Sequence, residues 1–215
     1  MFPLNAVLFP GVRLSLRVFE DRYRALVQHL LSIEEPSERL FGTVAIREGY
    51  EVGEHGAQSL YRVGMRLQLT EVEAHPDGTY DVAVLGRDRI RLDRLDTSGE
   101  FPVATVTERP TLPVEVDDLA LLQARAIFTA YRAAVSHLRG DPMTGALPRD
   151  AEYLSWSLAA AAPLPMAERQ TLLEADDTGE RIALVTDYLR SEVEAMNVIP
   201  SLPATEVART QWSPN

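Results

Sequence analysis

The residue types that carry most enzyme chemistry are either missing from this chain or scattered along it. The sequence contains no cysteine, and all 21 of its basic residues are arginine, so lysine is absent as well. Without these two residue types there is no thiol nucleophile, no Schiff-base lysine and no Ser–Lys peptidase dyad. An ATPase phosphate-binding loop is also excluded, because its lysine contacts the nucleotide phosphates.

The histidines and serines form no catalytic pattern. No two histidines have H-x-x-x-H spacing, and no serine lies in a G-x-S-x-G turn. The segment Glu51–His55 comes closest to a set of metal ligands, but a polar loop gives the same pattern. We therefore predict no catalytic residue, no metal ion and no cofactor. A small-molecule or hydrolytic role at Glu51–His55 stays open as an alternative.

Arg87, Arg89 and Arg91 form, together with Arg94, the only basic cluster. Strand alternation predicts that the first three share one face, where they could grip an acidic peptide or a phosphate backbone. Three aspartates within and after the cluster favour a salt-bridged surface instead. The net charge of −11 opposes binding to nucleic acid and to anionic membranes. Neutral or basic polypeptides are the favoured partners.

Four aromatic residues are candidate anchors for a polypeptide ligand, namely Phe9, Tyr23, Tyr50 and Trp156. Large aromatic side chains often dominate the binding energy of such contacts. Packing is the alternative interpretation of each. Phe9 precedes a Pro-Gly turn in which the glycine can take a conformation closed to other residues. Tyr23 falls on the apolar face of a predicted helix.

Residues 1–110 show short strands separated by turns. Leu14 and Leu16 alternate with polar residues, which indicates a strand with one buried face. His75–Gly78 is a proline-initiated turn with a glycine, and it predicts a hairpin. A helix opening at Glu20 interrupts the strands. Its predicted apolar face consists of Tyr23, Leu26, Val27, Leu30 and Leu31. These patterns predict a small β-rich, barrel-like subdomain.

Beyond residue 110 the apolar period becomes helical. Pro110–Pro113 is a predicted junction, 114–197 a helical subdomain and 198–215 a flexible tail. The predicted helices span 117–138, 150–162, 165–173 and 178–196. The first should bury a stripe made of Leu119, Leu122, Ala126, Ile127, Ala130, Tyr131, Ala134, Val135 and Leu138. The two parts together predict an α+β fold.

The sequence gives no sign of membrane insertion or export. No stretch approaches the length of apolar sequence that a transmembrane helix needs. The N-terminus lacks a basic region, and Pro3, Asn5 and Pro10 interrupt its apolar run, unlike a signal peptide. With no cysteine either, a cytoplasmic location without a membrane partner is the expectation.

Three motifs follow one another in the first 23 residues: Phe2–Asn5 (FPLN), Val7–Gly11 (VLFPG) and Val18–Tyr23 (VFEDRY). In this order they closely resemble the start of the substrate-binding domain of the Lon protease family. Three later segments resemble the next strands of that domain, namely Phe41–Ile46, Tyr61–Leu67 and Gly86–Leu92. The resemblance covers roughly residues 1–197.

The resemblance implies a PUA-like β pseudo-barrel followed by a C-terminal α-helical bundle. It implies recognition of unfolded or exposed apolar polypeptide rather than catalysis, in an apolar groove between the two parts. A proteolysis adaptor or quality-control factor with a protease or chaperone partner would fit this implied recognition of polypeptides. Because the chain ends shortly after its last predicted helix, we expect a stand-alone version without the ATPase and peptidase domains. The alternatives are RNA binding through the barrel and Arg87–Arg91, or a scaffolding role.

Overall fold

A computed structural model of the protein describes residues 1–48, 59–139 and 146–198. The chain divides into two units, Met1–Pro110 (unit 1) and Thr111–Asn215 (unit 2). Unit 1 is built on an antiparallel sheet, whereas the described part of unit 2 consists mainly of α-helices. The predicted α+β class is confirmed. The predicted tail, apart from its first residue, lies outside the described residues.

The described part of unit 1 contains five strands and one α-helix. Strand β1 shows why the sequence forms a sheet, because Leu14 and Leu16 turn inward while Arg13, Ser15 and Arg17 are exposed. The elements are β1 (Arg13–Val18), α1 (Asp21–Leu31), β2 (Leu40–Glu48), β3 (Ser59–Ala74), β4 (Tyr80–Asp96) and β5 (Val103–Glu108). A short 3-10 helix at Pro36–Glu38 links α1 to β2.

The sheet is held together by the long strand β4. The strands lie in the order β1-β4-β3-β2, all pairs being antiparallel, and β5 also pairs with β4. Residues 80–85 of β4 pair with β1, and residues 90–96 pair with β5. The hairpin predicted at His75–Gly78 is confirmed: it joins β3 to β4, and Gly78 adopts a φ of 81°.

The N-terminal segment lies along the free side of β2. The Phe2 amide donates to the Gly42 carbonyl at 2.9 Å, and the Leu4 amide donates to the Val44 carbonyl at 3.1 Å. The Met1 ammonium group donates to the Pro102 carbonyl, just before β5, at 2.6 Å. The segment therefore links β2 to the residue just before β5.

Helix α1 covers part of the N-terminal segment. It begins at Asp21 and buries Tyr23, Leu26, Val27 and Leu30, as the periodicity predicts, whereas Leu31 is exposed. The Tyr23 ring stacks on the Phe2 ring with a centroid distance of 4.0 Å. At the start of the helix, the Arg22 guanidinium pairs with the Glu20 carboxylate at 2.7 Å. The VFEDRY motif thus packs the helix start against the first residues of the chain.

Unit 2 has four α-helices in its described part. They are α2 (Asp118–Arg139), α3 (Ala151–Ala161), α4 (Met166–Glu174) and α5 (Thr178–Val198). The Asp150 carboxylate caps α3 by accepting from the Tyr153 amide at 2.9 Å. The Asp177 carboxylate caps α5 by accepting from the Glu180 amide at 2.8 Å. Such caps satisfy amides that have no partner inside the helix.

The buried stripe of α2 confirms the prediction at Tyr131 and Val135 and differs from it at other positions. Ala124, Phe128, Tyr131 and Val135 are buried, a spacing that makes one helical face, and α2 packs against α5. The predicted members Leu119 and Leu122 are 57% and 63% exposed, and Ala126 and Ala130 are exposed as well. The long apolar run offers two candidate faces, and packing against α5 selects the one with the aromatic residues.

The core of unit 2 encloses a charged side chain, that of Arg181. It donates to the Leu172 carbonyl at 3.3 Å, to the Ser155 hydroxyl at 2.9 Å and to the Ala175 carbonyl at 3.4 Å. Its guanidinium lies 3.3 Å from the centre of the Trp156 ring. Hydrogen bonds to oxygens and stacking on an aromatic ring both suit a planar cation. Arg181 therefore ties α3, α4 and α5 together.

Candidate functional site

The candidate site is an open groove in unit 1 with a volume of about 290 Å³. On one side lies β5, on the other the start of β2, and the second half of α1 completes the wall. Its lining is mostly apolar: Met1, Leu26, Leu30, Leu40, Phe41, Ile90, Phe101, Pro102, Val103, Ala104 and Val106. Concave apolar surfaces of this kind are the usual places where proteins take up ligands.

Three apolar side chains of the groove reach solvent. Val103 is 55% exposed, Leu40 is 38% exposed and Val106 is 36% exposed. Beneath them, Ile90 belongs to the buried core of the sheet. When another apolar chain covers a contiguous apolar surface that is partly exposed to water, the free energy of the system falls. The groove can therefore bind apolar groups by burial alone.

The polar side chains of the groove lining are those of His29 and Arg66. The Arg66 guanidinium lies 2.9 Å from the Glu108 carboxylate and 3.6 Å from the Asp88 carboxylate. The His29 ring lies 5.2 Å from the Phe101 ring. Because the Arg66 charge is paired, the lining offers mainly apolar contacts to a ligand.

Met1 also lines the groove, and it carries the α-amino group of the chain. Burial lowers the pKa of this α-amino group from 8.0 to about 6, because a charged group loses hydration when it is removed from water. Its hydrogen bond to the Pro102 carbonyl keeps it in place in either protonation state. The N-terminus is therefore largely neutral at pH 7.

The stability of the protein should rise between pH 6 and pH 8. In this interval the unfolded chain still binds a proton at Met1 that the folded chain has released, so the free energy of unfolding increases with pH. With a pKa lowered from 8.0 to about 6, the free energy of unfolding changes by about 2 kcal/mol between these two pH values. Urea unfolding at pH 6, 7 and 8 measures it. An N-acetylated chain, which cannot titrate there, is the control; equal pH slopes for both chains would contradict the assignment.

The structure places the predicted aromatic anchors in the core. Phe9 is fully buried, and Tyr23 and Trp156 are nearly so. Phe9 precedes the turn in which Gly11 has a φ of 75°, which agrees with the packing interpretation. The structure thus shows these three side chains in packing contacts, and their role in binding stays a prediction. Tyr50 and the Glu51–His55 segment lie outside the described residues.

The three arginines of β4 differ in exposure. Arg87 and Arg91 are exposed, but Arg89 is buried and donates to the Pro110 carbonyl at 3.1 Å. The register of β4 against β3 is irregular between Gly86 and Arg89 and regular from Arg89 to Arg91. Arg89 therefore adds no exposed cation to this strand, and a role of Arg87 and Arg91 in binding stays a prediction.

Sequence analysis did not single out Leu40, Val103 or Val106. Alternation along the strand at residues 101–106 would place Val103 and Val106 on opposite faces. The sequence therefore gives no sign that both line one groove. Leu40 gave no signal either, because only the tertiary fold brings it to the same groove.

Two further observations concern the described ranges only. In residues 1–48, 59–139 and 146–198, no cluster of three acidic or histidine side chains is placed to hold a metal ion. No helix in that part of the chain is both long and apolar enough to cross a bilayer.

The chain belongs to the family of the ATP-dependent protease La (LON) substrate-binding domain, whose family model matches residues 1–191. It is 28% identical over 200 residues to Lon protease 2 of Herpetosiphon aurantiacus, covering 91% of this chain and 24% of that protein. It is also 28% identical over 148 residues to the Lon protease of Escherichia coli, covering 67% and 19% respectively. The chain thus spans about a quarter or less of these relatives.

Two solved structures share the fold. One is described as the Lon N-terminal domain protein from Xanthomonas campestris, with a TM-score of 0.63, 24% identity, and coverage of 87% of this chain and 95% of that one. The other is the N-terminal domain of Mycobacterium avium complex Lon protease, with a TM-score of 0.60, 18% identity, and coverage of 87% and 96%. These similarities establish the fold of an N-terminal Lon domain.

Proposed function

We propose that this protein binds polypeptide segments with exposed apolar side chains, and that it does so in the groove of unit 1. The observation that carries the proposal is the partly wet apolar lining formed by Leu40, Val103 and Val106. Membership of a substrate-binding domain family supports it. The net charge of −11 supports neutral or basic chains as ligands over nucleic acids.

The finer features of the proposal follow from the same family. Unit 1 is a PUA-like pseudo-barrel, and unit 2 is a helical bundle. The N-terminal segment supports the pseudo-barrel, because it links β2 to the residue before β5. The biological role is that of a cytoplasmic, non-catalytic adaptor or quality-control factor that presents clients to a protease or chaperone. Burial of Arg89, one of the three arginines of the RNA-binding alternative, favours polypeptide over RNA as the ligand.

Fluorescence anisotropy with a permanently unfolded, apolar-rich polypeptide tests the proposed function. We expect saturable binding at physiological salt, with labelled single-stranded RNA left unbound. Leu40→Asp should weaken polypeptide binding about tenfold, since it places a carboxylate where an apolar contact is worth about 1.4 kcal/mol.

Leu119→Asp is the matched control for this experiment, because Leu119 is an exposed leucine of unit 2 that lies outside the groove. Its affinity should stay within twofold of the parent protein. Absence of polypeptide binding at high micromolar concentration would overturn the proposed function. Equal losses for the two variants would overturn the assignment to the groove.

A further inference from the structure

The two ionisable side chains of the groove lining, His29 and Arg66, respond differently to pH. The Arg66 guanidinium is paired with the Glu108 and Asp88 carboxylates, and an arginine side chain does not lose its proton in a protein. A histidine side chain, in contrast, changes its charge between pH 5 and pH 8. His29 is therefore the side chain through which the charge of the lining can change near neutral pH.

The His29 ring lies at the surface of the groove. The residue belongs to the last turn of α1 and is exposed. Its ring lies 5.2 Å from the Phe101 ring, with an angle of 37° between the two planes. Among the described residues, no hydrogen bond or ion pair holds the ring nitrogens. The ring can therefore gain or lose a proton without breaking a hydrogen bond inside unit 1.

Charged groups of both signs surround this ring. The carbonyl end of a helix stabilises a cation in the last turn, which favours protonation of His29. The titratable groups on the elements around it are those of Met1, Glu34, Arg39, Arg66, Tyr80 and Glu100. Arg39 donates to the Ile33 carbonyl, and Tyr80 accepts a hydrogen bond from Gln28. None of these groups is bonded to the His29 ring, so both protonation states are accessible to it.

The neutral and the protonated ring suit different ligands. A neutral imidazole beside Phe101 continues the aromatic and apolar surface of the lining. A protonated imidazole holds water strongly, and an apolar chain that covers it removes this water without replacing its hydrogen bonds. An apolar ligand therefore binds more tightly to the neutral form. By linkage, binding of such a ligand releases the proton of any protonated ring.

We propose that His29 makes the groove sensitive to pH, because the neutral ring admits an apolar polypeptide and the protonated ring weakens its binding. This inference rests on the proposed function and adds the residue that regulates it. Since the ligand prefers the deprotonated ring, the affinity is highest above pH 7 and falls as the pH falls. An imidazole with the ordinary pKa of about 6.5 is mostly protonated at pH 5.5. The affinity should therefore be about tenfold lower at pH 5.5 than at pH 7.5.

Binding of one polypeptide at two pH values tests the inference. The probe is the permanently unfolded, apolar-rich polypeptide, made without histidine or acidic residues and with blocked termini. Its label is a rhodamine, whose emission does not change between the two pH values. Anisotropy with the whole protein should give a Kd about tenfold higher at pH 5.5 than at pH 7.5. In the His29→Gln protein, which has no charge at this position at either pH, the two values should agree within about twofold.

Two matched controls separate His29 from the other groups that titrate in this interval. His75 lies outside the groove, with its ring 2.8 Å from the Asp81 carboxylate, so His75→Gln should keep the pH dependence of the parent protein. An N-acetylated chain removes the α-amino group of Met1, whose pKa is about 6, and should keep it as well. Circular dichroism at both pH values establishes that each protein is folded.

Titration calorimetry gives an independent readout of the same linkage. At pH 6.5, in two buffers with different ionisation enthalpies, the parent protein should release about half a proton for each polypeptide bound. The His29→Gln protein should release none. A side chain that only supports the fold would not change the number of protons released.

The outcomes separate this inference from the proposed function. If the polypeptide binds equally well at both pH values, or if the pH dependence persists in His29→Gln, the role of His29 is overturned and polypeptide binding stands. Loss of the pH dependence in His75→Gln or in the N-acetylated chain would overturn it in the same way. If the polypeptide binds at neither pH, the proposed function itself fails.

Discussion

Alanine at Gly64 is expected to destabilise the protein by about 3 kcal/mol. Gly64 lies in the middle of β3, between Val44 of β2 and Ile90 of β4. A Cβ atom there would stand 2.0 Å from the Thr43 carbonyl oxygen and 2.7 Å from a Val44 methyl group. The Thr43 oxygen is backbone in a strand paired with β3, so relief of the clash requires β2 to move.

Gly99→Ala is the control for this substitution. The nearest atom to a Cβ at Gly99 is a backbone oxygen 3.7 Å away, which is ordinary contact, so its free energy of unfolding should change by less than about 0.5 kcal/mol. Urea titration followed by circular dichroism measures both. A Gly64→Ala protein as stable as Gly99→Ala would show that β2 and β3 are less closely packed than described.

Removal of the Arg181 side chain is expected to have the largest effect in unit 2. Arg181→Ala withdraws the donors to the Leu172 carbonyl, the Ser155 hydroxyl and the Ala175 carbonyl. It also leaves a void beside the Trp156 ring. Unsatisfied buried acceptors and a cavity together should cost about 4 kcal/mol. Arg181→Lys keeps the charge without the planar guanidinium, and its free energy of unfolding should lie between those of the parent protein and Arg181→Ala.

Arg190→Ala is the matched control on the same helix. Arg190 is exposed and pairs with Asp187 one turn away, an arrangement that contributes less than about 1 kcal/mol. Chemical denaturation of each variant gives the free energies. In a Trp212→Phe background the emission of Trp156 alone reports on its ring, and Arg181→Ala should alter that emission while Arg190→Ala leaves it unchanged. Similar unfolding energies for the alanine variants would contradict the role of Arg181.

Features that depend on neighbouring residues in the sequence were predictable. The hairpin at His75–Gly78 follows from a proline and a glycine at fixed turn positions. The buried face of α1 follows from helical spacing, with only Leu31 on the wrong side. Each depends on local backbone geometry, which the residue order determines directly.

Features that depend on distant partners were not predictable in the same way. Arg89 is buried, and its guanidinium donates to the carbonyl of Pro110, 21 residues later, a contact that strand alternation cannot reveal. Packing against α5 decides which face of α2 is buried, and so leaves Leu119 exposed. The groove needs Leu40 of β2 and Val103 of β5 on opposite sides of a gap, which only the folded sheet brings together.

The N-terminal segment has a consequence for the order of folding during synthesis. Met1, the first residue of this chain, is bonded to Pro102, which is 101 positions later. Contacts with such large sequence separation form late, because a long loop must close first. The edge of β2 at Gly42–Ile46 can pair with Phe2 and Leu4 early. The amino group of Met1 can bond to the Pro102 carbonyl only after Pro102 has left the ribosome. A nascent chain that stalls before Pro102 therefore lacks both the contact partner of Met1 and the strand β5.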